Sequence, residues 1–163
     1  MLIAILSDSH DNEPQLQSAI DHANQAGAQH LLFAGDLIAP PCVDILARFK
    51  GQVDMVLGNN EAELLGLQSK ISQHDHLILH NPNYQGNIDG KRVFMDHYPI
   101  NAENAAQSGN YDLAIHGHTH HLRQEQFDNC TLVNPGEIQG LRTGQSTYLL
   151  WDTTDNTFQT IRL

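Results

Sequence analysis

The sequence predicts an α/β fold of the α+β kind, a four-layer αββα sandwich in which two mixed β-sheets are flanked by helices. Two observations indicate this architecture. The first half of the chain alternates apolar strand patterns with amphipathic helical patterns, which favours a parallel sheet with right-handed crossovers. The second half consists mainly of short strands separated by turn signals, which favours antiparallel pairing. With 163 residues and 40% hydrophobic content, we expect a single domain over residues 1–163.

The first half predicts the order β-α-β-α-β-α. Apolar runs predict strands at residues 2–6, 31–34 and 53–57. Helical patterns cover residues 13–26, 41–49 and 61–70. Asp11 or Asn12 caps the first helix, Pro14 lies in its first turn, and Asn59 or Asn60 marks the start of the third. In such a fold the carboxyl ends of the strands meet at one edge of the sheet, where ligands bind.

The second half predicts seven short strands and one helix. The strands are at residues 77–79, 92–95, 113–116, 124–127, 131–133, 147–151 and 157–161. The helix covers residues 102–108. Turn signals at Asp89-Gly90, Asp128-Asn129 and Asp155-Asn156 separate the strands, and the last two are typical of hairpins.

Composition narrows the functional classes. Eight Lys and Arg oppose nineteen Asp and Glu, and a formal charge of -11 disfavours binding to a phosphate backbone. No apolar run is long enough to span a membrane, and no signal peptide is readable at the start of the sequence. Cys42 and Cys130 belong to no CxxC pair, so we expect reduced thiols in a cytoplasmic protein.

Five clusters of ligand-type residues each follow a predicted strand. They are Asp8-Ser9-His10, Gly35-Asp36, Gly58-Asn59-Asn60-Glu61, His97, and the segment from His116 to His121. The first four have ordinary alternatives as helix caps, turn residues or a surface histidine. The fifth favours metal binding by itself, because His118 and His120 are two apart and can point to the same side of an extended segment.

Taken together, the clusters predict a metal site. Asp8 and His10 are also two apart, so an extended backbone would project both to one side. If every ordinary alternative held, chance would still have to place all five clusters at the same end of the fold. Because the donors are carboxylate, amide and imidazole groups without thiolate, they suit divalent Mn, Fe, Ni, Co or Zn.

In order along the chain, the motifs DxH, GD, GNN, a single His and GHTH resemble those of the calcineurin-like metallophosphoesterases. The resemblance is to the small, single-domain YfcE-like phosphodiesterases of bacteria and archaea, and it extends from Leu2 to about Arg142. It implies the metallophosphoesterase fold. The sequence Asn134-Pro135-Gly136 is similar to the family's NPG turn, although Glu137 stands where Ser is usual.

The resemblance also implies a ligand for each of two divalent ions. One ion would be held by Asp8, His10 and His120, a second by Asn59, His97 and His118, and Asp36 would bridge them. Manganese is the ion we expect, with nickel, iron, cobalt or zinc as alternatives. A hydroxide between the ions would attack the phosphorus of a small phosphodiester, the expected small-molecule substrate.

Asn60 departs from the pattern of many family members, which carry His at this position as a leaving-group acid. Asn can donate a hydrogen bond to a phosphoryl oxygen but cannot transfer a proton. We therefore expect Asn60 and Asp36 to act in catalysis, with solvent, His121 or Asp11 as the source of the proton. Diesters with good leaving groups should then react faster than unactivated monoesters.

Two other functions remain open at this point. The first is a nonenzymatic scaffold of the same fold, which is disfavoured because all seven ligand-type residues are present. The second is a nuclease acting on short single strands, which the acidic composition and the lack of a basic stripe disfavour. The oligomeric state is open as well, since Leu64, Leu65 and Leu67 fit either a core or a dimer face.

Overall fold

The computed structural model describes residues 1–163 and contains two β-sheets and four α-helices. The strands are β1 (Leu2–Leu6), β2 (His30–Phe33), β3 (Gln52–Val56), β4 (Leu77–His80), β5 (Tyr84–Ile88), β6 (Lys91–Met95), β7 (Leu113–Ile115), β8 (Arg123–Phe127), β9 (Cys130–Asn134), β10 (Thr147–Asp152) and β11 (Thr157–Arg162). The helices are α1 (Glu13–Ala26), α2 (Pro41–Leu46), α3 (Leu64–Ile71) and α4 (Pro99–Gln107). No helix is both long enough and apolar enough to cross a membrane.

Both sheets are mixed, as the sequence predicts. The first sheet has the order β11-β10-β1-β2-β3-β4, with β1 to β4 parallel and β10 antiparallel to β1. The second has the order β5-β6-β7-β9-β8, in which β6, β7 and β9 are parallel. The predicted fold class, two mixed sheets flanked by helices, is therefore confirmed.

Alternating side chains on the strands build the layers. On β1, Ile3 and Ile5 point into the core between the sheets, whereas Ala4 and Leu6 point toward the outer helices. Helix α1 buries the face formed by Leu16, Ala19, Ile20 and Ala23 against this outer side, at the spacing of an amphipathic helix. Helix α4 covers the far side of the second sheet with its alanines, which form a separate small cluster with residues of that sheet.

The structure differs from the sequence prediction at β5, which was not predicted as a strand. Only Tyr84 and Ile88 at its two ends are buried, and polar residues and a glycine lie between them. Such a segment carries little apolar periodicity, and β5 forms only because β6 pairs with it at the edge of the second sheet.

Three helix boundaries also differ by three residues each. Helix α2 ends at Leu46 rather than at residue 49, and α4 begins at Pro99 rather than at residue 102. Helix α3 begins at Leu64 rather than at residue 61. The last difference has a physical cause, because the Glu61 carboxylate accepts hydrogen bonds from the backbone of Asp36 and Leu37, which keeps residues 61–63 out of the helix.

Candidate metal centre

The predicted ligand clusters meet where β1, β2, β3, β6 and β7 end. The backbone there is left-handed at five of the seven residues: φ is 56° at Asp8, 42° at His10, 58° at Asp36, 67° at His118 and 65° at His120. The extended geometry expected for the pairs two residues apart is therefore wrong. Non-glycine residues in this region cost conformational energy, which is often concentrated at functional sites.

Glycines allow these segments to approach one another closely. A Cβ atom on Gly58 would lie 2.1 Å from Oδ1 of Asp36, and one on Gly117 would lie 2.0 Å from Oγ of Ser7. Neither distance is possible between real atoms. Both positions therefore require glycine. A larger residue would displace the Asp36 carboxylate at Gly58, or the Ser7 hydroxyl that bonds to Asp8 at Gly117.

Asp8, His10 and His120 form a first set of converging ligand atoms. Oδ1 of Asp8 lies 3.7 Å from Nε2 of His10 and 3.5 Å from Nε2 of His120. The other carboxylate oxygen, Oδ2, accepts hydrogen bonds from Ser7 Oγ at 2.6 Å and from the His118 backbone at 3.1 Å. Oδ1 of Asp8 and Nε2 of His10 are buried without a hydrogen-bond partner, which is the arrangement expected of atoms that bind a cation.

Asn59, His97 and His118 form a second set. Oδ1 of Asn59 lies 2.9 Å from Nε2 of His97 and 2.8 Å from Nδ1 of His118. Nδ1 of His97 donates to the carbonyl oxygen of Ala34 at 2.8 Å, so the neutral ring presents a lone pair at Nε2. That lone pair faces the amide oxygen of Asn59, and a cation between the two acceptors satisfies both of them.

Asp36 lies between the two sets. Its Oδ2 is 3.2 Å from Nε2 of His10 in the first set and 3.5 Å from Nε2 of His97 in the second. The backbone and side chain of Asn60 donate to Oδ1 and Oδ2 at 2.9 and 2.7 Å. Asp8, Asp36 and His97 also offer one ligand atom each within 4.8 Å of one another, so the carboxylates connect the sets.

The electrostatics of these groups favour positive charge at the centre. Burial alone would raise the pKa of Asp36, but the nearby His10 ring and the hydrogen bonds from Asn60 outweigh it and hold that pKa below its usual range. The close carboxylates of Asp36 and then Asp8 raise the pKa of His10 to about 9. Asp36 therefore stays ionised, and the donor set of oxygen and imidazole atoms fits hard or borderline divalent cations.

Two glutamates, the half-buried Glu61 and the buried Glu137, support the ligands, and neither is among the predicted site residues. Oε1 of Glu61 accepts from the backbone of Asp36 at 2.8 Å, and burial raises the pKa of this carboxyl. Glu137 accepts a hydrogen bond from Nδ1 of His120 at 2.7 Å. The only signal for them in the sequence is position, because each directly follows one of the motifs, GNN or NPG.

The residues considered for the leaving-group step, Asn60, Asp11 and His121, have different surroundings. The side chain of Asn60 is directed at Asp36. Asp11 accepts from the backbone of Ala39 at 3.0 Å and so fixes a loop. His121 is exposed and lines a cavity next to His120.

Comparison with known proteins agrees with this geometry. Residues 1–156 match the calcineurin-like phosphoesterase superfamily domain. The chain belongs to this family. Its members depend on bound metal, and this chain has residues of metal-ligand types grouped closely enough to hold an ion. The family assignment made from the DxH, GD, GNN and GHTH motifs is confirmed.

Two curated relatives are phosphodiesterases. Phosphodiesterase MJ0936 of Methanocaldococcus jannaschii is 28% identical over 165 residues, covering 100% of this chain and 99% of the relative. Phosphodiesterase YfcE of Escherichia coli K12 is 26% identical over 156 residues, covering 85% of this chain and 79% of the relative. The names of these relatives support the view that this chain is a hydrolase of the phosphoesterase class.

Solved structures show the same fold. The structure of a novel archaeal phosphodiesterase superposes with a TM-score of 0.94 at 29% identity and covers 100% of both chains. Wild-type Vps29 of Entamoeba histolytica, complexed with Zn²⁺, superposes with a TM-score of 0.65 at 17% identity, covering 100% of this chain and 98% of the other. At that identity the second comparison shows the fold alone.

Proposed function

We propose that this protein is a phosphodiesterase that hydrolyses small phosphodiesters with the help of two divalent metal ions. The first set, Asp8, His10 and His120, would hold one ion, and the second set, Asn59, His97 and His118, would hold the other. The observation that carries the proposal is the place of Asp36, whose Oδ2 lies 3.2 Å from His10 and 3.5 Å from His97. One carboxylate in contact with both sets is the arrangement that a shared ligand requires.

When bound, the ions would supply an activated water as nucleophile and neutralise charge on the phosphoryl oxygens. The protein's own groups orient this chemistry. The hydrogen bond of His97 to Ala34 fixes the ring with its Nε2 lone pair toward the centre. Asn60 holds Asp36 through two hydrogen bonds, and its amide can also donate to a phosphoryl oxygen. Manganese is the ion that we propose, with nickel, iron, cobalt and zinc as the other ions to test.

The substrate that we propose is a small, singly charged diester rather than a doubly charged monoester or a nucleic acid. Several cations of the chain are already paired with carboxylates: Arg92 with Asp112, Arg123 with Glu103 and Glu125, and Lys70 with Asp44. Three of the eight Lys and Arg are thus paired, and the other five stand against nineteen Asp and Glu in the chain, which disfavours a substrate with a second phosphate charge or an extended backbone. Asn60, which cannot transfer a proton, favours substrates with good leaving groups.

Kinetics on bis-p-nitrophenyl phosphate and p-nitrophenyl phosphate test this substrate preference directly. We expect a higher kcat/KM for the diester with each metal of the series Mn, Ni, Fe, Co and Zn. A higher value for the monoester would contradict the proposal. A panel of natural phosphodiesters and cyclic nucleotides would then narrow the leaving group.

The substitution Asp36→Ala tests the shared carboxylate. We expect it to abolish diester hydrolysis and to lower the bound metal, whereas Asp44→Asn, an exposed carboxylate on α2, should change neither. A nonenzymatic scaffold would show no metal-dependent activity in the wild type. Binding of oligonucleotides at physiological salt, lost at high salt, would instead favour a nuclease.

A further inference from the structure

Glu137 is a fully buried carboxylate that contacts both the candidate metal centre and a neighbouring loop. Its Oε2 accepts a hydrogen bond from Nδ1 of His120 at 2.7 Å. Its Oε1 accepts from the backbone amides of Arg142 and Thr143 at 2.9 and 2.7 Å, and from the Thr143 hydroxyl at 2.9 Å. Each carboxylate oxygen thus serves a different part of the molecule.

The contact between Glu137 and His120 fixes which nitrogen of the His120 ring carries a proton. Gln139 Nε2 also lies 3.0 Å from Nδ1 of His120, but this amide nitrogen can only donate, whereas the Glu137 carboxylate can only accept. The shorter, charge-assisted contact at 2.7 Å therefore places a proton on Nδ1, directed at Glu137. Nε2 of the neutral ring then presents its lone pair toward Oδ1 of Asp8, 3.5 Å away. A carboxylate behind a histidine ligand orients the ring in this way and raises its basicity.

The contact with Arg142 and Thr143 fixes residues 140–145, which we call the Glu137 loop. Gly140 and Gly144 have φ values of 67° and 76° near its two ends, so the loop turns sharply at each. Thr143 and Gln145 of this loop line a cavity of about 350 Å³ together with His120, His121, Leu122 and Thr147. The Glu137 loop is therefore one wall of a cavity that adjoins the candidate metal centre.

We propose that Glu137 is a positioning residue that couples cation binding at Asp8, His10 and His120 to the conformation of the Glu137 loop. The inference rests on the proposed function, since it assumes that His120 binds an ion. Coupling of this kind is reciprocal, so anything that loosens the loop must weaken cation binding, and cation binding must stabilise the loop. The cavity lined by the Glu137 loop would therefore adopt its final shape only when Asp8, His10 and His120 bind a cation.

The variant Glu137→Gln tests the two contacts of this side chain, because glutamine has nearly the same shape as glutamate but only one acceptor oxygen. It can serve His120 or the loop amides, but not both. We expect titration calorimetry with Mn²⁺ to show about 10- to 100-fold weaker binding of one of two ions, the range seen when the partner of a metal-ligating histidine is lost. Glu125→Gln, an exposed carboxylate on β8, is the matched control and should bind both ions as the wild type does.

Amide hydrogen exchange gives a second measurement that needs no activity. In the wild type, Mn²⁺ should slow exchange in the Glu137 loop, and in Glu137→Gln this slowing should be lost. Thr143→Val provides an independent variant that leaves the bond between Glu137 and His120 in place. Thr143→Val should weaken the binding of the same ion about fivefold, which is at the low end of known coupling strengths.

The possible failures are distinguishable. If the wild type binds neither Mn²⁺ nor any of Ni²⁺, Fe²⁺, Co²⁺ and Zn²⁺, the proposed function itself is wrong; if it binds another of these ions, the same titrations are made with that ion. If the wild type binds two ions and both Glu137→Gln and Thr143→Val bind them with unchanged affinity, the coupling is overturned. Loop exchange that is insensitive to Mn²⁺ in the wild type also overturns it.

Discussion

The substitution Gly58→Ala adds a single methyl group, which should impair catalysis because it would press against Asp36. A Cβ atom at this position would lie 2.1 Å from Oδ1 of Asp36 and 2.5 Å from its backbone nitrogen. Because ordinary contact begins near 3.4 Å, the carboxylate would have to move by roughly 1.3 Å. That movement takes Asp36 away from its position between the two ligand sets.

The expected loss follows from this displacement. A misplacement of about 1 Å in a catalytic arrangement costs about 10²-fold in rate, equivalent to about 2.7 kcal/mol of transition-state stabilisation. We therefore expect kcat/KM on bis-p-nitrophenyl phosphate to fall by at least about 10²-fold in the Mn²⁺-loaded variant. Metal content measured on the same sample would show whether an ion is lost with it.

Gly66→Ala is the matched control. Its added Cβ would lie 3.0 Å from the Pro40 ring and in ordinary contact with Glu63, at 3.6 Å, and alanine favours the helix in which Gly66 lies. Activity close to wild type is expected for this control. If Gly58→Ala also kept its activity within about threefold, the role assigned to the position of Asp36 would be refuted.

Three further predictions concern stability and the environment of Asp36. Burial would raise the pKa of Asp54, but hydrogen bonds to His30 and His80 at 2.6 Å outweigh it and lower this pKa. The ionised Asp54 therefore stabilises the folded protein above about pH 4, and this stabilisation is lost as pH falls through the lowered pKa. Urea unfolding should show Asp54→Asn less stable by about 1.5–3 kcal/mol at pH 7, with the difference narrowing in acid; a constant difference would contradict this. Asn60→Ala removes a 2.7 Å bond to Asp36 and should lower kcat for the diester about tenfold, whereas an unchanged kcat would leave Asn60 without a catalytic role. Chelation of metal present at about 100 times its Kd should lower Tm by roughly 5–10 °C in calorimetry, and an unchanged Tm would argue against tight binding in the folded state.

The sequence predicts the main architecture because its strongest signals are local. Strand β1 is a continuous apolar run, β2 and β3 are mostly apolar, and a ligand-type residue follows each strand within three residues. Since parallel strands share an edge, the order of these clusters along the chain was enough to predict that they meet. The structure brings all seven predicted ligands to that edge.

Other features depend on contacts between distant segments and carry almost no local signal. Glu61 and Glu137 reach Asp36 and His120, which lie 25 and 17 residues away, so their roles become visible only in the folded chain. The same applies to β5, whose polar sequence becomes a strand by pairing with β6. The left-handed backbone at Asp8 is likewise set by the packing around it, because the tendency of Asp and His toward this conformation is too weak to predict it at a given position.

Anomalous diffraction from a crystal grown with Mn²⁺ and measured at the manganese edge tests the central claim most directly. The account predicts two peaks about 3.5–4 Å apart, one beside Asp8, His10 and His120 and the other beside Asn59, His97 and His118. Asp36 should contact both of them. A single peak, or two peaks without Asp36 between them, would contradict a centre with two ions and a shared carboxylate.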